Sequence, residues 1–138
     1  MGIKYDTDTI KLINLFEKVS DVKVKDCLVN ENIIFIVNKG YMGKAIGRNG
    51  VKIKKVEDLI KKKIKVVEFS DDVCKFIKNF LAPLKIEEVS IDDNKKLVSI
   101  KVNGISIKAK IIGRNNKNLN NLKKVVSRYF KIDSIRVV

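Results

Sequence analysis

The first half of the chain mixes apolar positions at helical spacing with short β-branched runs. Over Asp6–Ser20, apolar residues recur three and four positions apart behind an acidic start, which predicts an amphipathic helix. The runs Val22–Val29 and Ile33–Val37 flank the polar residues 30–32 and predict a β-hairpin. A short helix, opened by Lys39 and Gly40, then leads into a loop. A second helix follows, and the strand Ile64–Phe69 ends the segment. The apolar face predicted for that second helix is Val51, Ile53, Val56, Leu59 and Ile60.

The second half repeats this order. Asp71 and Asp72 precede a helix that Pro83 ends, and Ile86–Ile91 and Leu97–Val102 predict another hairpin. The short helix Ile105–Ile112, a loop, a longer helix and a strand over 132–137 complete the pattern. Each half is helix–strand–strand–helix–loop–helix–strand, which predicts an α+β chain of two domains, 1–69 and 70–138. With only Ser70 between Phe69 and Asp71, we expect the two domains to be joined rigidly.

The strongest repeated feature is the loop between the two adjacent helices. Ile46-Gly47-Arg48-Asn49 recurs residue for residue as Ile112-Gly113-Arg114-Asn115, 66 positions later. Glycine accepts positive φ without a Cβ penalty and lets another molecule approach the backbone. The helix that follows presents unpaired N–H groups and the positive end of its dipole, which suits a phosphate. The pattern therefore predicts two anion-binding turns.

Charge is concentrated around these two loops. The net charge is +14, which favours a polyanionic partner. Residues 39–65 carry ten basic residues against two acids, a net +8, and residues 101–131 carry nine basic residues and no acid, a net +9. Residues 1–38 and 71–100 each carry five lysines against six acids, a net −1. The distribution, more than the total, indicates nucleic acid.

Other classes of function find little support in the sequence. No apolar run approaches the ~20 residues that span a bilayer, and the N-terminus lacks the apolar core of a signal peptide, so we expect a cytoplasmic protein. The absence of His excludes a His/Cys metal site, and Cys27 and Cys74 are expected to be buried thiols in a reducing compartment. No nucleophile has an acid–base partner. We expect neither catalysis, nor a cofactor, nor a small-molecule substrate.

The order of elements, with G-x-x-G between adjacent helices, resembles the prokaryotic type of KH domain in tandem. The length and the IGRNG and IGRNN loops look most like the archaeal NusA-like proteins. The resemblance covers essentially the whole chain. It implies two type II KH domains, each a three-stranded mixed sheet with three helices packed on one face. It also implies single-stranded RNA as partner, with the loop clamping the backbone of about four nucleotides. The implied role is transcription termination or antitermination on nascent or ribosomal RNA, with RNA polymerase as a second implied partner.

Carried onto this sequence, the resemblance and the charge give a set of candidate RNA-binding residues. In the second loop, Asn116 stands where the closing glycine is expected, and we expect Asn to tolerate the left-handed turn. Ile46, Ile53, Ile112 and Leu119 are favoured as core residues and kept as second-rank candidates for the groove, and Tyr41 and Tyr129 are favoured as core over base stacking. The candidates are Lys44, Ile46, Gly47, Arg48, Asn49, Gly50, Lys52, Ile53 and Lys54 in the first domain and Lys110, Ile112, Gly113, Arg114, Asn115, Asn116 and Lys117 in the second.

Two alternatives stay open at this point. Each loop could be a plain helix connection without a ligand. The chain could also be a docking or assembly factor, whose basic surface contacts an acidic face of RNA polymerase or of a ribosomal particle and for which RNA sequence matters little.

Overall fold

The computed structural model describes residues 5–29, 32–94 and 96–138. The chain divides into two compact units, Met1–Phe69 and Ser70–Val138. Each unit is α+β, with three α-helices and one three-stranded mixed sheet among its described residues. Of the turn predicted at residues 30–32, Asn30 and Glu31 lie outside the described residues.

The first unit has the predicted order of elements. Its sheet order is β1-β2-β3, with β1 antiparallel to β2 and β3 parallel to β2. Cys27 lies opposite Phe35, which lies opposite Val66, and this register fixes which side chains face the helices. The elements are α1 (Thr7–Ser20), β1 (Val24–Val29), β2 (Ile33–Val37), α2 (Met42–Ile46), α3 (Val51–Ile60) and β3 (Ile64–Glu68).

The core of the first unit lies between α1, α3 and the sheet. The rings of Phe16 and Phe35 stack with their centroids 4.3 Å apart, and both side chains are fully buried. Burial, with a smaller contribution from the adjacent Asp26 carboxylate, raises the pKa of the Cys27 thiol to about 12. The expectation of buried thiols is confirmed for Cys27 and wrong for Cys74, which is half-buried.

The predicted apolar face of α3 is partly wrong. Val56 is fully buried, and Ile53 and Ile60 pack against the core. Val51 and Leu59 are instead 59% and 56% exposed. At about 100° per residue, Val51 lies on the face opposite the centre of the stripe formed by Ile53, Val56 and Ile60, and Leu59 lies at about a right angle to it, at the edge. Only three of the five predicted positions therefore form the buried stripe.

Two glutamates connect helix ends to the strands that follow. α1 and α3 both end at a left-handed residue, Asp21 (φ 58°) and Lys61 (φ 60°), whose N–H donates to the backbone oxygen of Glu17 or Glu57 at 2.8 Å. The carboxylates of the same two glutamates accept from the backbone N–H groups of Val24 at 2.7 Å and Ile64 at 2.9 Å. Each glutamate thus closes a helix and holds the start of a strand.

The second unit repeats the first. Asp72 caps α4, accepting from the N–H of Cys74 at 3.0 Å, and Ala82 is the C-terminal cap just before Pro83, as the sequence predicts. The sheet order is β4-β5-β6, with β4 antiparallel and β6 parallel to β5. The strands β4 and β6 both begin two residues later than predicted. The elements are α4 (Val73–Leu81), β4 (Glu88–Asp92), β5 (Leu97–Lys101), α5 (Ile105–Ile112), α6 (Lys117–Tyr129) and β6 (Ser134–Val137).

Candidate nucleic-acid interface

The first loop is a sharp turn between α2 and α3. Gly47 has φ 80° and ψ 171°, a region that L side chains rarely adopt, and its N–H donates to Gly43 O at 3.0 Å to end α2. The residues Arg48–Gly50 form one 3-10 turn, in which Asn49 (φ 56°) and Gly50 (φ 73°) are left-handed. The side chains of Arg48 and Asn49 are exposed. The turn therefore presents a cation, an amide and open backbone to solvent.

Lys52 explains why position 47 requires glycine. A Cβ on Gly47 would lie 2.8 Å from Cγ of Lys52 and 3.2 Å from its backbone N. The Lys52 ammonium group donates to Lys44 O and to Ser20 O, both at 2.9 Å. This side chain passes beneath the loop, and its two hydrogen bonds link the last residue of α1 to α2. Its ammonium group is therefore bonded within the unit, a role that the sequence did not indicate.

The second loop has the same backbone. Gly113 has φ 74° and ψ 172°, Asn115 has φ 56°, and Asn116 has φ 61° and ψ 19°, against 73° and 17° at Gly50. The expectation that Asn116 tolerates the left-handed turn is confirmed. Beneath the loop, Nδ2 of Asn118 donates to Lys110 O at 3.0 Å, and a Cβ on Gly113 would lie 2.7 Å from Cγ of Asn118.

Each of the two turns places the N-terminus of a helix at the surface of its unit. Among the described residues, no side chain caps the N-terminus of α3 or of α6. The first N–H groups of a helix have no partner within it, and they carry its positive partial charge. The N–H groups of Val51 and Lys117 donate to Arg48 O and Arg114 O within the 3-10 turns. An anion beside Gly50 or Asn116 would therefore be attracted by the positive partial charge of the helix end.

A groove of about 570 Å³ begins at the first loop and follows α3. Gly50, Ile53 and Lys54, three of the residues predicted to bind RNA, line it. Five further lining residues were not in the predicted set. Two of them lie three and four residues after Lys54, and helical spacing could have identified them, but their acidic character argued against an RNA surface. The five are Glu57, Asp58, Lys61, Lys62 and Lys63.

The remaining predicted residues fall into exposed and half-buried groups. Lys54, Lys110, Arg114, Asn115 and Lys117 are exposed. Lys44 is exposed and forms an ion pair with Asp21 at 3.4 Å. The side chains of Ile46, Ile53, Ile112 and Leu119 are half-buried, and Ile46 and Ile53 pack against the core of the first unit.

The two tyrosines favoured as core residues differ. Tyr129 lies edge-on to Phe76, with ring centroids 6.4 Å apart, and its core assignment is confirmed. The assignment of Tyr41 was wrong, because its side chain is 50% exposed at the start of α2. Helical spacing did not apply to Tyr41, since it caps the five-residue helix and lies outside it.

The part of the chain that the structure describes has no group of three His, Cys, Asp or Glu side chains arranged to hold a metal ion. Within residues 5–29, 32–94 and 96–138, no helix is long and apolar enough to cross a membrane.

Two helices joined by a glycine-flanked turn, packed on a three-stranded mixed sheet, define a KH-domain protein. A family model described as KH domain matches residues 12–94. The chain is 36% identical to a protein named "Probable transcription termination protein NusA" from Methanocaldococcus jannaschii, over 99% of this chain and 75% of that protein. Proteins of the same name match from Methanococcus vannielii (36% identity, 100% of this chain and 81% of the relative) and Thermoplasma acidophilum (32%, 98% and 95%). The chain belongs to the family of archaeal NusA-like KH-domain proteins, which confirms the resemblance drawn from the loops.

Among solved structures, the chain is similar to the crystal structure of APE1850. The TM-score is 0.72 at 29% sequence identity, covering 97% of this chain and 100% of that one.

Proposed function

We propose that the chain is a single-stranded RNA-binding protein, built as two tandem type II KH domains, that acts in transcription termination or antitermination. One observation carries the proposal: two turns of the same backbone conformation each present an uncapped helix start at the centre of a strongly basic segment. The names of the archaeal relatives support the assignment to transcription termination.

The loop and the groove bind different parts of the RNA. The backbone of an RNA strand lies against the first loop, where the Arg48 side chain and the positive end of the α3 dipole attract phosphate oxygens. The bases lie along α3 toward Lys61–Lys63, with the half-buried Ile53 as an apolar contact. Phosphates and lysines supply an electrostatic attraction that does not depend on sequence. With ~4–6 phosphates neutralised, log K should fall against log salt with a slope of roughly −3 to −4.

The test is to place negative charge on the first loop. Replacing Arg48 and Asn49 with Asp repels the phosphate and opposes the helix dipole. We expect affinity for a labelled single strand, measured by fluorescence anisotropy, to fall about tenfold or more, about 1.4 kcal/mol. The melting temperature should stay close to that of the wild type, because both side chains are exposed.

The matched control is the variant K11D/N14D on α1, which makes the same change in charge at two exposed positions of the same unit. We expect it to weaken binding much less. Equal losses from the two variants would mean that only total charge matters, and a preference for duplex over single strand would overturn the proposal. A complex with RNA polymerase that survives nuclease while free RNA binds without salt dependence would favour the docking alternative.

A further inference from the structure

A second concave site lies beside the first loop and is not part of the groove along α3. It is a pocket of about 220 Å³ lined by Asp21, Val22, Lys23, Asn38 and Tyr41. These residues come from the turn after α1, the end of β2 and the start of α2. The pocket thus joins two segments of the first unit, residues 21–23 and 38–41, which are separated in the sequence by the strands β1 and β2.

Backbone hydrogen bonds define the shape of this pocket. Asp21 is left-handed, and its N–H donates to Glu17 O at 2.8 Å. Val22 is buried, and its N–H donates to Oγ of Ser20 at 3.2 Å. On the opposite side, the N–H of Tyr41 donates to Asn38 O at 3.2 Å. The side chains of Asp21, Lys23, Asn38 and Tyr41 therefore project from ordered backbone while remaining exposed.

The chemistry of the lining suits a flat, polar-edged ring. Tyr41 offers an aromatic surface that is half exposed, and Val22 adds an apolar contact. The Asp21 carboxylate accepts hydrogen bonds, and the Asn38 amide both donates and accepts. Lys23 supplies a positive charge at the rim. A nucleobase presents a π-face and an edge with donors and acceptors, and it carries a phosphate nearby.

An ion pair and two hydrogen bonds link the pocket to the first loop. Lys44 pairs with Asp21 at 3.4 Å, and Lys52 bonds both Lys44 O and Ser20 O beneath Gly47. Tyr41 precedes Gly47 by six residues across α2, which at ~1.5 Å per helical residue is a distance of only about 9 Å. A strand held at the loop can therefore reach the pocket with a neighbouring nucleotide.

We propose that this pocket binds one nucleobase of the RNA strand held by the first loop, stacked on Tyr41 with its edge at Asp21 and Asn38. The site extends the RNA path beyond the groove along α3, and it tolerates any base because each presents a π-face. This inference rests on the proposed RNA binding. It adds a contact that is made only when the strand is longer than the loop requires.

The test compares two substitutions at Tyr41 on RNAs of two lengths. Stacking on an aromatic side chain is worth about 1–3 kcal/mol per base, so Y41A should weaken binding of a 12-nucleotide single strand about fivefold or more. Y41F keeps the ring and should bind within about twofold of the wild type. A four-nucleotide RNA, which fills only the loop, should bind wild type and Y41A equally. I105A removes an apolar side chain that is 87% exposed in the second unit and should change neither affinity.

Tyrosine fluorescence gives a readout that is independent of affinity. The chain has three tyrosines and no tryptophan, so stacking of a base on Tyr41 should quench an emission that Y41F lacks. Absence of that quenching, or equal binding of the long strand by wild type and Y41A, would overturn the proposed base-binding pocket, while R48D/N49D still tests RNA binding at the loop.

If R48D/N49D has no effect on the binding of either RNA, the proposed function itself is wrong. If AMP alone quenches Tyr41 at the same concentration as the strand, the pocket is a mononucleotide site and the strand proposal is overturned. N38A repeats the test if Y41A does not fold.

Discussion

The two glycines of the first loop have different reasons to be glycine. Gly47 combines a backbone conformation that L side chains rarely adopt with close contact to Lys52, whereas a Cβ on Gly50 would meet nothing within 4 Å. Gly50 is simply left-handed, and Asn116 holds the same conformation in the second unit. Position 47 is thus restricted by both strain and packing, and position 50 by strain alone.

Substituting each glycine with alanine should separate these effects. G50A should lower the free energy of unfolding by about 1–2 kcal/mol, because alanine is strained in the left-handed conformation. G47A should lower it by more, about 2–4 kcal/mol, because backbone strain and the contact with Lys52 add. Urea unfolding of both variants measures the difference. G43A is the matched control, since Gly43 lies inside α2 with open space at its Cβ. A G47A variant as stable as G50A would show that Lys52 simply moves aside.

The residues of the loops could be predicted from the sequence, and their surroundings could not. Repetition of four residues 66 positions apart identifies the turn, and the known tolerance of Asn explains Asn116. The core assignment of Tyr41 was wrong because the exposure of a side chain at a helix start depends on which segments lie around it. Asp21 and Asn38, which line the same pocket, lie 20 and three residues before Tyr41 in the sequence. Local spacing carries no information on such convergence.

At the scale of elements, α3 serves two purposes on two faces. Lys52 and Lys54 are two residues apart and look alike in the sequence. Lys52 is half-buried and bonds the ends of α1 and α2, while Lys54 is exposed and lines the groove. The order of elements follows from periodicity alone, but the assignment of these lysines requires knowing where α1 ends in space.

Alanine at each of the two lysines should give opposite results. K52A removes two hydrogen bonds from a charged donor and should lower the free energy of unfolding by about 1–3 kcal/mol. K54A should leave stability within about 0.5 kcal/mol, as for most exposed positions, and weaken RNA binding. Urea unfolding and anisotropy on the same two preparations measure both quantities. A K52A protein of unchanged stability would contradict the bracing role of Lys52.

At the scale of the whole molecule, two basic loops lie on one short chain. Only four residues separate β3 from α4, and they are ordered locally: the N–H of Phe69 donates to Val37 O at 2.8 Å, and that of Asp72 to Oγ of Ser70 at 3.2 Å. The length of this connection, known from the sequence, limits how far the two loops can separate. We expect a strand bound at one loop to meet the other at high effective concentration.

We expect affinity to rise in a step as RNA becomes long enough for both loops. At about four nucleotides per loop, strands of roughly 9–12 nucleotides should bind far more tightly than strands of five or six. R114D/N115D should abolish the step without affecting the short strands, and it should be less damaging overall than R48D/N49D. A smooth rise with length, measured by anisotropy over a series of unstructured RNAs, would mean that the loops act independently or that the second does not bind RNA.

The left-handed residue that closes each turn also bears on how such a chain can diverge. Gene duplication leaves two copies of one motif, and each copy can acquire substitutions while the other retains its role. Most side chains at the closing position would strain the turn, but Asn holds φ 61° there with the rest of the loop unaltered. Glycine and asparagine at this position therefore support the same turn, and asparagine adds an amide side chain to its exposed surface. We expect the two loops to differ in ligand preference while they share one backbone conformation.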